Sequence, residues 1–333
     1  MTATAIALGI GSMQSCDSVI YDDLDPCPQG VALRFVFDYN MEFANAFPSQ
    51  VDCLTLLIYD AAGNYVKTVT ETTSVLADED WRMVIDLPAG QTYSFVAYGG
   101  MECASSSFHF VDAPGAGSKL TSLEVAMNSN CVGANPGVDL HPLFYGSLDL
   151  EVPAKSTDYT VGTVNMMKDT NTLRILLQNV DNTPVDPADF RFEITADNTL
   201  FGYDNAVIPT ATTTYSPWAV GQVGSGIDPA TGNETLLAFA EFSTSRFIAG
   251  SADRLIITNI TTNKTVLSIP LVNYLLLYKS LRYDKMGAQE FLDRESRWDM
   301  ILFLDSYNGQ TNWNSAYIVV NDWIVRINNA TLE

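Results

Sequence analysis

The stretch Val31-Ala32-Leu33-Arg34-Phe35-Val36-Phe37-Asp38 limits the choice of fold more than any other. Val31, Leu33, Phe35 and Phe37 fall on one side of an extended chain, and Ala32, Arg34 and Asp38 on the other, a period of two that reads as a half-buried strand. The pattern recurs from Leu54 to Tyr59, followed by the turn residues Asp60-Ala61-Ala62-Gly63-Asn64 and a return at Tyr65-Val66. Arg82 to Leu87, Pro88-Ala89-Gly90 and Thr92 to Tyr98 read as a further hairpin. Short strands separated by Gly, Pro and Asn turns predict an all-β protein built from antiparallel β-sandwiches.

A second set of strands begins near Ser147, where Leu148, Leu150 and Val152 alternate with Asp149 and Glu151. Tyr159 to Val164, Leu173 to Leu177, Asp189 to Ala196, Thr235 to Phe242, Arg254 to Thr258 and Thr265 to Leu271 continue it. Because Gly133-Ala134-Asn135-Pro136-Gly137 reads as a linker, the expected domains are 27–145 and 146–333. Tyr274 to Ser280 and Gly287 to Glu295 have the composition of short helices. Met300 to Leu304, Tyr317 to Val320 and Trp323 to Ile327 are strand-like, with Asn321-Asp322 as the turn of a terminal hairpin.

At 333 residues the chain exceeds the size at which a single core keeps growing, so two domains are expected. Its 47% hydrophobic and 17% charged residues support sizeable cores. A formal net charge of −22 repels polyanions, which excludes nucleic acid as a natural partner.

Residues 3 to 10 (ATAIALGI) resemble the apolar region of a signal peptide, and small residues lead up to Cys16. No Lys or Arg precedes them, so the true start is expected upstream. Ser15-Cys16 fits the end of a bacterial lipoprotein signal, although Met13 stands where Leu is usual. Residues 1–15 are therefore expected to be removed and 16–26 to form an acylated tether on Cys16. With Cys16 lipidated, Cys27, Cys53, Cys103 and Cys131 remain, an even set suited to disulfides in an exported chain. Three connectivities are open, as are buried free thiols.

Chemistry is sparsely signalled. His109 and His141 are the only histidines, and neither sits in a nucleophile motif, so no catalytic residue and no enzyme activity is expected. No two cysteines have CxxC spacing, so no metal or other cofactor is expected either. Asp22, Asp23 and Asp25, and Asp181, Asp186 and Asp189, lack the order of a calcium loop and read as solvated carboxylates. Gly221, Gly224 and Gly226 lack the ending of a phosphate loop and read as a flexible loop. The five tryptophans read as core or interface anchors, with a sugar-stacking face as the alternative.

Several segments together carry a resemblance: CDSVIYDDLDPCPQGVALRFVFDYNM, VDCLTLLIYDAAGNYV, DLPAGQTYSFVAYGGMEC, LFYGSLDLEV, MMKDTNTLRILLQ, AEFSTSR and QEFLDRESRWDM. Spread from Cys16 to Ile327, they resemble the Bacteroides-type fimbrial anchor lipoproteins, the fimbrillin-A-associated family. The resemblance implies two tandem transthyretin-like sandwiches, acylation at Cys16 and a place on the outer face of the outer membrane. It also implies a role at the base of a fimbria, attaching it and limiting its length, with a stalk subunit as partner and no small-molecule substrate. Asp17, Asp22 and Asp23 are similar to the surface-export signals of such lipoproteins.

In related pili, a strand from one subunit completes the sheet of its neighbour, pairing edge N–H and C=O groups. An anchor that keeps its lipidated end is better suited to donate such a strand than to be cut and receive one. Here the candidate segment contains Tyr317, Ile318, Val319, Val320, Trp323, Ile324 and Val325; the other reading is an ordinary hairpin that closes the second domain. No Lys or Arg lies between Cys16 and Arg34, so a trypsin-like cut would fall inside the first strand, as suits an uncleaved subunit. The competing functional reading is a surface glycan-binding lipoprotein of a nutrient-uptake system.

Overall fold

The computed structural model describes residues 29–155, 158–227, 231–232, 234–279, 283–307, 310–320 and 323–328. Its first half contains β1 (Gly30–Val36), a one-turn helix α1 (Phe47–Gln50), β2 (Leu54–Asp60), β3 (Tyr65–Glu71), β4 (Met83–Asp86), β5 (Gln91–Gly99), β6 (Phe108–Phe110), β7 (Val125–Met127), β8 (Phe144–Val152) and β9 (Thr160–Lys168). Alternation decides which side chains are buried: Val31, Leu33 and Phe35 are inside, while Ala32 and Arg34 are half-buried.

One layer has the order β3-β2-β5-β8 and the other β9-β1-β4, hydrogen-bonded to each other through a short β8–β9 contact. Gly146 makes this corner possible, since a Cβ there would lie 2.7 Å from the Asn165 carbonyl oxygen. Leu33, Phe35, Leu56, Phe95, Phe144 and Val164 fill the space between the layers. β2 is buried along almost its whole length. Leu54, Leu56 and Ile58 face that core, whereas Leu57 and Tyr59 belong to a second cluster with Phe108, Val125 and Phe201. A strand covered on both faces carries a continuous apolar run.

The second half contains β10 (Thr170–Asn179), β11 (Phe190–Ala196), β12 (Leu200–Phe201), β13 (Thr213–Tyr215), β14 (Ala219–Ile227), β15 (Glu234–Ser245), β16 (Arg254–Asn259), β17 (Lys264–Pro270), α2 (Leu271–Leu276), α3 (Ala288–Arg294), β18 (Arg297–Tyr307), β19 (Gln310–Val320) and β20 (Trp323–Asn328). A six-stranded sheet, β14-β15-β10-β18-β19-β20, shares its core with a four-stranded sheet, β13-β11-β16-β17. Trp298 is buried there, its Nε1 donating to Asn171 Oδ1 at 3.1 Å. A three-stranded sheet, β12-β7-β6, takes strands from both halves.

The all-β expectation, with few short helices, is met, and several details are corrected. The strand expected to open the second domain, β8, instead pairs along its whole length with β5, and β9 pairs with β1. The first sandwich therefore runs on to Lys168, and the change-over comes at Asp169 rather than near Tyr145. β4 and β5 are not a hairpin: β4 pairs with β1, and β5 with β2 and β8. The turn between them crosses the sandwich, with Leu87 N–H donating to the Gln29 carbonyl and Gly90 N–H to the Val152 carbonyl.

The glycines at 221, 224 and 226 lie in β14 rather than in a loop, paired with β15 and irregular between Gly224 and Ile227. α2 begins at Leu271, ahead of the expected Tyr274, because Pro270 ends β17 and Leu271 N–H turns to the Asp253 carbonyl. Two pairings, β1–β9 and β10–β18, are parallel within otherwise antiparallel sheets. The terminal turn Asn321-Asp322 lies outside the described residues.

Candidate functional site

The segment singled out for partner pairing divides between two strands of different standing. Tyr317, Ile318, Val319 and Val320 lie in β19, which is paired on both sides, with β18 and with β20. Trp323, Ile324 and Val325 lie in β20, which ends the six-stranded sheet and among the described residues pairs only with β19. An edge strand offers a row of free backbone donors and acceptors to another chain. Its sequence WIVRIN contains one charged residue. The opposite edge, β14, is glycine-rich and mostly exposed, with few apolar groups for a partner to grip.

At the change-over between the halves, Asp169 ends a buried polar chain whose other members belong to the second half. Arg246 donates from Nε and Nη2 to the two carboxylate oxygens of Asp293, at 2.7 and 2.8 Å, and from Nη1 to the Asn205 carbonyl at 2.9 Å. Gln289 Nε2 also donates to Asp293, and Asn205 Nδ2 donates to Asp169 Oδ1 at 2.9 Å. Asp169 is fully buried, and its Oδ2 has no hydrogen-bond partner among the described residues. Burial pushes its carboxyl up to about 7, although Arg246 and the Asn205 hydrogen bond pull the other way. The neighbouring helix residue, Arg294, lies over the rings of Tyr39 and Phe43 at 4.1 and 4.9 Å. Tyr145 Oη donates to the Tyr203 carbonyl at 3.0 Å.

A third cluster forms where β2 begins, β5 ends and β8 begins. Leu54 is in register with Gly99, and Gly99 with Phe144, so the residues just beyond these ends converge. Cys53 and Cys103 form a disulfide there, Cys131 is a buried free thiol, and Cys16 and Cys27 lie outside the described residues. Burial raises the Cys131 thiol. His141 Nε2 is 3.1 Å from Asp52 Oδ1, and Ser105 Oγ is 3.4 Å from Nδ1.

The last arrangement has the members of a hydrolytic triad but not its environment. Asp52 is 68% exposed, so it cannot fix and stabilise an imidazolium as a buried carboxylate does. Ser105 does not line the open pocket of about 420 Å³ on which Asp52 and His141 border. His109 bonds to Asn128 at 2.8 Å. Asp181 and Asp186 bind local backbone N–H groups in their own turns, while Asp22, Asp23 and Asp25 lie outside the described residues. Trp298 is buried, Trp81 is half-buried with its ring 6.0 Å from that of Phe35, and Trp218 is half-buried. The side chains of Trp313 and Trp323 lie outside the described set.

Comparison with known proteins agrees with this architecture. The family described as fimbrillin-A associated anchor proteins Mfa1 and Mfa2 matches residues 24–329. The minor fimbrium anchoring subunit Mfa2 of Porphyromonas gingivalis is 24% identical over 272 residues, 80% of this chain and 77% of that protein. A crystal structure from Bacteroides thetaiotaomicron, provisionally described as an adhesin, is 48% identical with a TM-score of 0.84, covering 92% of this chain and all of the other. A second from the same organism, provisionally described as polysaccharide-binding, is 28% identical with a TM-score of 0.74, covering 91% of this chain and 99% of the other. With that match spanning nearly all of an all-β chain, the protein belongs to the Mfa2 family of fimbrillin-A associated anchor proteins.

Proposed function

We propose that this chain is a non-enzymatic lipoprotein of the outer membrane, acylated at Cys16, that anchors a surface fimbria at its base and limits its length. It joins the stalk subunit by backbone pairing along β20. The observation that carries the pairing is the position of β20 as the last strand of the six-stranded sheet, with one ladder occupied among the described residues. Membership of an anchor family and the name of the relative from Porphyromonas gingivalis support the fimbrial partner. One acyl chain binds a membrane only marginally at about 0.8 kcal/mol per buried CH₂, so two or three chains on one cysteine supply the grip.

Retention of the lipidated end agrees with the position of Arg34. It lies inside β1, opposite Thr163 of β9, so a cut there would divide a strand in the middle of its sheet. The glycan-binding alternative draws on the description of one structural relative. It lacks an exposed tryptophan face among the described side chains.

Neighbouring N–H groups on a strand point to opposite sides, so of Ile324→Pro and Val325→Pro one removes an outward donor and the other a donor to β19. The outward variant is expected to fold and reach the envelope yet lose the stalk subunit in pull-downs from cell envelopes. Cys16→Ala is expected to move the protein into the soluble fraction. If both proline variants retain the stalk subunit, pairing along β20 is wrong; if wild-type protein retains glycan and no fimbrial subunit, the anchor reading is wrong.

A further inference from the structure

The disulfide end of the first sandwich holds more donor chemistry than a disulfide uses. One ligand atom from each of Asp52, Cys53, Cys103 and His141 lies within 4.8 Å of all the others. They come from three strand ends that the sheet register brings together, so the grouping is built by the fold rather than by sequence proximity. Cys53 is buried, Cys103 and His141 are half-buried, and Asp52 is exposed at the rim. Two sulfurs, an imidazole and a carboxylate form a ligand set suited to zinc. Tetrahedral zinc spaces its donors by roughly 3.3–3.8 Å, so once the covalent bond is broken only small side-chain shifts are needed.

The surroundings fit as well. Ser105 Oγ is 3.4 Å from His141 Nδ1, where it orients the ring and leaves Nε2 on the Asp52 side. The pocket bordered by Asp52 and His141 gives access from solvent.

We propose that Asp52, Cys53, Cys103 and His141 form a redox-gated zinc site, closed as the disulfide when oxidised and holding one Zn²⁺ when reduced. A dithiol reductant opens it by thiol–disulfide exchange. The dithiol gives up two electrons and two protons and leaves as its own disulfide, while Cys53 and Cys103 become thiols. Binding of Zn²⁺ releases those two protons to solvent; the two thiolates, the neutral imidazole and the carboxylate are the ligands. In either state the start of β2 and the end of β5 stay cross-linked.

The test uses the full chain, reduced with a phosphine, freed of reductant under anaerobic conditions and titrated with Co²⁺ and then Zn²⁺. The reduced protein is expected to take up one Co²⁺ with a thiolate-to-cobalt charge-transfer band, which one Zn²⁺ displaces. Oxidised protein is expected to show no band. Cys53→Ser/Cys103→Ser, which keeps the other three cysteines, is expected to lose it. His141→Ala and Asp52→Asn are expected to keep the disulfide when oxidised, which reports folding, and to weaken zinc binding at least about tenfold when reduced, with Ser105→Ala about tenfold weaker. Identical cobalt spectra for reduced wild type and Cys53→Ser/Cys103→Ser, or unchanged zinc affinity in His141→Ala, would overturn the proposal.

Discussion

Asp293→Ala is expected to lower the stability of the folded chain by about 3–5 kcal/mol, the usual cost of leaving a buried ion without its partner. Arg246 is largely buried, and two of its three described hydrogen bonds end on this carboxylate. Gln289 would lose the same acceptor. Urea unfolding measures the change, provided the slope against denaturant matches that of wild type. Removing both charges is expected to be far milder: Arg246→Met/Asp293→Leu leaves no unpaired ion and should fall close to wild type. A loss below about 1 kcal/mol in Asp293→Ala would show that solvent reaches the pair.

The second large effect is a dependence on pH opposite to that of most proteins. Burial holds the Asp169 carboxyl at about 7 in the folded chain, against 3.8 as its ordinary value. Between about pH 4 and 7 the folded state therefore binds more protons than the unfolded state, and stability falls as pH rises through this window. A shift of roughly three pH units corresponds to about 4 kcal/mol by pH 8, as an upper bound. Burial also pushes Glu295 up to about 7 and Asp253 to about 6, and both act in the same direction.

Asp169→Asn is expected to reduce the slope, leaving stability near wild type at pH 5 and raising it at pH 8. Glu295 and Asp253 keep a residual slope in the variant. Denaturant unfolding of both proteins at the two pH values is the measurement, and a wild type more stable at pH 8 than at pH 5 refutes the reading. The two effects are coupled. Without Asp293, whose charge raises Asp169, and with Arg246 still lowering it, Asp169 is expected to ionise at lower pH, shrinking the slope.

Where side chains alternate against a core, the sequence was readable. β1, β8 and β11 show it in their apolar residues, and the burial of Val31, Leu33 and Phe35 follows directly. Pairing partners were not readable, because they depend on contacts far apart in the chain. β6, β7, β12 and β13 have two or three residues each and exist through their neighbours. β14 is too rich in glycine to announce itself as a strand.

The linker-like composition of 133–137 misplaced the change-over, because nothing local shows that β8 will choose β5 and β9 will choose β1. The pairing of Cys53 with Cys103 was one of several open choices until the register of β2 against β5 brought the two together. The same register explains why His141 and Asp52 meet across 89 positions of sequence. Asp169, Arg246 and Asp293 lie in segments that carry the family resemblance, MMKDTNTLRILLQ, AEFSTSR and QEFLDRESRWDM, but their meeting with Asn205 in a buried chain was not readable, since each residue in isolation reads as a surface polar group.

The two parallel pairings have a mechanical consequence. β1 enters at Gly30 and β9 leaves at Lys168, at opposite ends of a pair matched over six positions, Val31↔Thr160 to Val36↔Asn165. Tension along the backbone drags these strands lengthwise past each other and strains all six positions together, instead of peeling them apart one at a time. β10 and β18 repeat the arrangement over eight positions, Thr172↔Arg297 to Asn179↔Leu304. The first half thus meets a pull between its strand entry and exit as a lap joint does, sharing the load along the overlap, while in the second half β19 and β20 follow β18.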